Sequence, residues 1–83
     1  MNEPNGTTRI LVVDDDDQVL ALLQAILERA GYAVDAVGDG NQAVAAFDPA
    51  VHALVITDIV MPEKEGIETI MELRLRRPDL PVI

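Results

Sequence analysis

Ile10-Leu11-Val12-Val13-Asp14-Asp15-Asp16-Asp17 is the stretch that decides the fold. Four apolar, mostly β-branched residues run without alternation into four consecutive aspartates. A strand of that pattern is buried on both faces, as in a parallel sheet covered by helices. The aspartates fall where the strand ends and where an amphipathic helix pattern begins. Four like charges in a row repel one another, so something must offset them. A bound cation, the positive N-terminus of the following helix and water are the candidates.

Working outward, Asp16 or Asp17 can cap a helix from about Gln18 to Ala30. Its apolar positions Val19, Leu22, Leu23, Ile26, Leu27 and Ala30 follow the i, i+3, i+4 template, and Gly31 stands where a left-handed residue ends a helix. Tyr32 to Val37 reads as a second strand, placed at a sheet edge because Asp35 interrupts its apolar run. Gly38-Asp39-Gly40 is a turn rather than a dinucleotide fingerprint, which should follow the first strand and carry a third glycine. Asn41 is expected to cap a short helix through Val44 to Phe47, which Asp48-Pro49 ends.

Ala53 to Thr57 is again continuously apolar and meets Asp58. His52, ahead of that strand and away from its carboxyl end, reads as a surface residue. A loop with Met61-Pro62 and Gly66 leads to a helix from about Ile67 to Arg76. Ile67, Ile70, Met71 and Leu73 or Leu75 are expected to face inward. Pro78 stops this helix, and Arg74, Arg76 and Arg77 suit its C-terminal end. Pro81-Val82-Ile83 opens a further strand.

Strands alternating with helices imply an α/β fold with a parallel sheet and right-handed crossovers. The two wholly apolar strands belong at the centre and the half-polar second at the edge, giving the order 2-1-3-4. Right-handedness then sets the first helix on one face and the second and third on the other. The path reverses between strands one and three, and ligands bind at such a switch point, at the carboxyl ends of the strands. Asp14, Asp15 and Asp58 stand there. Adjacent strands lie about 4.8 Å apart, so these carboxylates can converge on one ion.

With 83 residues, the chain makes at most one small domain, here residues 9–83 after a polar tail, 1–8, expected to be disordered. Tyr32 and Phe47 are the only aromatic residues, so the core is expected to be aliphatic. The net charge of −9 argues against nucleic acid and anionic membranes and suits a cation or a basic partner. The absence of cysteine excludes disulfides and thiolate metal sites. Without an apolar leader or a membrane-length apolar stretch, the expected location is cytoplasmic.

Ile10-Leu11-Val12-Val13-Asp14-Asp15, taken with Leu54-Val55-Ile56-Thr57-Asp58-Ile59-Val60-Met61-Pro62 and Gly66, resembles the receiver domain of two-component response regulators. The resemblance runs from about Arg9 to Ile83 and rests on linked features. These are the acidic pair ending strand one, the aspartate ending strand three, Met-Pro three residues on, and a glycine opening the third helix. It implies a flavodoxin-like doubly wound sheet in which Asp58 is the phosphoacceptor. Asp15 and Asp58 would coordinate Mg²⁺, Asp14 would do so directly or through water, and the Val60 backbone carbonyl would add a ligand. The donor would be a histidine kinase or a histidine phosphotransfer protein. The chain would then be a self-phosphorylating acceptor, not a turnover enzyme.

Receivers continue with a hydroxyl residue after strand four, an aromatic and a lysine on strand five, and two more helices; all would lie beyond Ile83. Lys64 occupies no family lysine position and reads as a surface charge. Thr57 and Thr69 do not replace the hydroxyl residue. The expectation is a partial receiver, with an open sheet edge that invites self-association. A non-phosphorylated interaction module is the alternative. A haloacid-dehalogenase-like phosphatase, suggested by Asp14-x-Asp16, is remote, because Asp17-Gln18 stands where that family has Gly-Thr.

Overall fold

The computed structural model describes residues 8–57 and 66–83. Its element order is β1 (Arg9–Val13), α1 (Asp17–Arg29), β2 (Ala33–Val37), α2 (Gly40–Ala46), β3 (His52–Thr57) and α3 (Gly66–Arg76). The strands form one parallel sheet in the order β2-β1-β3. Val82 makes a parallel bridge to Val55 outside β3, and Ile83 donates its N–H to the Val55 carbonyl at 2.9 Å. The expected order 2-1-3-4 is therefore present as far as the chain extends. Among the described residues no helix is long and apolar enough to cross a membrane.

The central strand is buried on both sides, as its unbroken apolar run requires. Leu11 and Val13 join Ala43, Phe47, Val55, Leu73 and Leu80 under α2 and α3, whereas Ile10 and Val12 join Val34 under α1. One helix lies on the first face and two on the second, as right-handed crossovers demand. Gly31, at φ 103°, ends α1 in the left-handed conformation that a side chain would strain.

Three expectations about the helices need correction. The stripe of α1 that packs on the sheet is Leu20, Leu23 and Leu27, while Val19, Leu22 and Ile26 are exposed. The helix carries two adjacent apolar stripes, and the sheet takes only the one made by Leu20, Leu23 and Leu27. In α3 the inward side chains are Thr69 and Leu73, both fully buried; Ile67, Met71 and Leu75 point to solvent. Leu73 is thus the inward one of the two leucines and Ile70 is half-buried, whereas Ile67 and Met71 fall on the outer side because the buried face includes a threonine.

The third correction concerns the cap of α2, which is Asp39 rather than Asn41. The Asp39 carboxylate accepts the Gln42 N–H at 2.8 Å, and the Gln42 amide oxygen accepts the Gly38 N–H at 2.9 Å. Asp39-x-x-Gln42 is thus a capping box displaced by one residue at its return bond. The Asp39 bond satisfies a backbone donor that the first turn would otherwise leave open, and the Gln42 bond ties the preceding Gly38 to the helix.

Candidate functional site

Val13, the last residue of β1, pairs with Val37 on one side and Thr57 on the other. The Asp14 N–H reaches the Val37 carbonyl at 3.2 Å, carrying the ladder one residue past the strand. The Asp14 carboxylate then accepts the Asp16 N–H at 2.9 Å, which turns the chain towards α1 and fixes that side chain at the strand end. Asp14 is half-buried there. Asp15 is exposed and has no hydrogen bond or ion pair among the described residues. Asp16 is the N-cap, with extended φ of −96° and ψ of 110°; its carboxylate accepts from Gln18 at 2.9 Å and from Val19 at 3.3 Å. Asp17 begins the helix, where a negative charge is favoured by the dipole.

The four aspartates are therefore not equivalent. Asp16 and Asp17 belong to the helix, as the sequence suggested. Asp14 and Asp15 stay at the carboxyl end of the sheet, and Asp15 makes no hydrogen bond or ion pair among the described residues. β3 stops beside them at Thr57, directly opposite Val13. Asp58, Val60, Met61, Pro62 and Lys64 lie outside the described residues. Among the described residues no three metal-binding side chains converge, so Asp14 and Asp15 are the part of the expected ligand set on view. Their donors are hard carboxylate oxygens, and one Asp14 oxygen is already held by a backbone N–H, while Asp15 has no partner among the described residues. That donor chemistry fits Mg²⁺.

A second polar cluster, at the opposite end of the strands, escaped the sequence reading. His52 is only 2% exposed, not a surface residue. Its Nε2 lies 2.8 Å from Asp35 Oδ2, while Arg9 Nη1 donates to Asp35 Oδ1 at 2.8 Å. The cause is a register irregularity: Arg9 pairs with His52 but Ile10 pairs with Leu54, so Ala53 is skipped and His52 turns to the α2/α3 face. The Phe47 ring stacks on it there at 5.8 Å, and Arg76 lies 5.2 Å from the centre of the Phe47 ring. The signal available in the sequence was Asp35 itself, a carboxylate inside a strand and in need of partners.

Partial burial pushes the Asp35 carboxyl upwards, but hydrogen bonds from His52 and Arg9, with their charge, outweigh it and hold the group below its usual value. A depressed carboxylate stabilises the fold above its unfolded pKa of 3.8 and loses that contribution as pH falls through its lower folded value. Asp35→Asn is accordingly expected to be less stable than the parent at pH 7. The gap should narrow below about pH 4, as chemical denaturation at several pH values would show. A gap that stays constant down to pH 2 would contradict this assignment.

Residues 10–83 match the response regulator receiver domain family. The alkaline phosphatase synthesis transcriptional regulatory protein PhoP of Bacillus subtilis is 36% identical over 75 residues, which cover 90% of this chain and 31% of PhoP. Among solved structures, the response regulator protein TrrA of Thermotoga maritima in complex with Mg²⁺-BeF gives a TM-score of 0.85 at 37% identity. That alignment covers 92% of this chain and 66% of TrrA. TrrA in complex with the histidine kinase ThkA gives 0.84 at the same identity and coverage. The chain thus spans about a third of the curated relative and two thirds of the solved receiver. Strand order, the acidic end of β1 and the family match agree over the same residues, and the chain belongs to the response regulator receiver family.

Proposed function

We propose that this chain is a phosphoacceptor in two-component signalling, with Asp58 taking a phosphoryl group from a histidine kinase or a histidine phosphotransfer protein. The observation that carries the reading is the pairing of Val13 with Thr57. It brings the strand ends that precede Asp14-Asp15 and Asp58 side by side. TrrA, a fold neighbour, has been crystallised with Mg²⁺-BeF and with the histidine kinase ThkA.

A carboxylate is a competent nucleophile for this chemistry. An Asp58 oxygen attacks phosphorus, the bond from phosphorus to the donor imidazole breaks, and an acyl phosphate remains on the aspartate. Mg²⁺ would supply the positive charge that lets an anionic phosphoryl group approach a site made of carboxylates. Asp14, Asp15, Asp58 and the Val60 carbonyl would hold it. Within the described residues, the Asp16 N–H orients the Asp14 carboxylate, and Asp15 keeps both oxygens for a cation.

Incubation with Mg²⁺ and acetyl phosphate, followed by intact-mass measurement, tests the proposal. A base-labile phosphoryl increment is expected in the parent and absent from Asp58→Ala. An increment that survives in Asp58→Ala would place the acceptor elsewhere. Mg²⁺ binding without any adduct would favour a non-phosphorylated interaction module, and steady phosphate release would favour a hydrolase.

A further inference from the structure

We propose that His52 is a pH-sensitive latch on the α2–β3 connection. The neutral ring, with its proton on Nε2, holds the Asp48 amide closed, and protonation at Nδ1 releases it. This inference does not rest on the phosphoacceptor reading, since the cluster lies at the other end of the sheet.

The hydrogen bonds set the tautomer. His52 Nδ1 accepts the Asp48 N–H at 3.0 Å, so the ring proton belongs on Nε2, where it is donated to Asp35 at 2.8 Å. Protonation would put a hydrogen on Nδ1 facing the hydrogen of the Asp48 amide. Two donors cannot pair, so this bond must open. The bond to Asp35 survives protonation and becomes an ion pair, which keeps the ring in place. The turn itself also persists, because the Asp48 carbonyl still accepts from Val51 at 3.0 Å and from His52 at 2.9 Å. Release is therefore local to one end of the connection.

The charged groups around the ring come from every neighbouring element. Asp35 on β2 and Arg9 on β1 meet at 2.8 Å. The Asp48 carboxylate turns away to accept the Ala50 N–H at 2.9 Å. Arg77 donates to the His52 carbonyl at 2.6 Å and pairs with Asp79 at 3.4 Å. Arg76 covers Phe47 and donates to the Phe47 carbonyl at 2.7 Å. Among the described residues Asp35 is the one carboxylate paired with the imidazole, and Arg9 shares it.

Long-range ¹H–¹⁵N spectra and amide exchange on the parent chain, followed as pH is lowered until the ring nitrogens report protonation, test the latch. The neutral ring should show its proton on Nε2. As His52 protonates, the Asp48 protection factor should fall about tenfold, the equivalent of one hydrogen bond. The Leu20 amide, bonded to the Asp16 carbonyl at 3.0 Å in α1, should keep its protection. A proton on Nδ1 in the neutral ring, or unchanged Asp48 protection while His52 titrates, would overturn the proposal. So would a simultaneous loss at Asp48 and Leu20, which would mean global unfolding.

Discussion

Leu73→Ala is expected to lower stability by about 2–5 kcal/mol, whereas Leu75→Ala, two residues away, should change it by less than about 0.5 kcal/mol. Leu73 is fully buried between α3 and the sheet, in contact with the cluster that contains Leu11, Phe47 and Val55. Truncation removes its transfer free energy and leaves a cavity that a close-packed core fills only in part. Leu75 is 84% exposed, so truncating it removes little that folding had buried. A domain of this size is held by roughly 4–12 kcal/mol in all, so the first change consumes a large fraction of it. Urea denaturation of both variants is the measurement. Comparable losses in the two would mean that α3 presents a different face to the sheet.

That contrast shows where the sequence was legible and where it was not. The sheet could be read because its signal is redundant. Ile10 to Val13 is buried on both faces, and in β3 Val55 packs on one side while Leu54 and Ile56 pack half-buried on the other, so no phase had to be chosen, and Asp35 marked the edge. Strand order and the helix faces then followed from handedness. The exposed face of α3 could not be read in this way. Ile67, Met71 and Leu75 make an apolar stripe as regular as a buried one, and the true inner face depends on Thr69, whose composition signal is polar. α1 has the same ambiguity, and there the neighbouring sheet decides it.

The polar sites divide similarly. At the end of β1 the second acidic pair was legible, because Asp16 and Asp17 fall where a cap and a first-turn charge belong. His52 was not legible, because its burial depends on skipping Ala53 in the register with β1. That shift is a tertiary event, fixed by the partners Asp35 and Arg9 from two other strands. The arginines after Leu73 were read as dipole partners of their own helix. Arg74 and Arg76 do stand in its last turn, and in addition Arg74 donates to the Leu80 carbonyl, Arg76 to Val44 and Phe47, and Arg77 to His52, tying the end of α3 to other parts of the fold.

Substitutions in the acidic run should separate binding from folding. In the absence of Mg²⁺, Asp16→Ala is expected to cost about 0.5–2 kcal/mol, because it removes the acceptor for Gln18 and Val19 at the start of α1. Its backbone N–H remains to hold Asp14, so Mg²⁺ should still bind. Asp15→Ala should behave in the opposite way. No contact among the described residues is lost, and one of four adjacent negative charges disappears, so the apo protein should melt at the parent temperature or slightly above. A cation that binds only the folded chain stabilises it by about 1.4 kcal/mol at ten times its Kd, roughly 5–10 °C in Tm for a domain of this size. Asp15→Ala should lose most of that increment and Asp16→Ala should retain it. Thermal melts of the three proteins with and without Mg²⁺ read both effects at once. If Asp16→Ala loses the Mg²⁺ increment while Asp15→Ala keeps it, the helix end rather than the strand end holds the cation, and the assignment of the first pair to the metal fails.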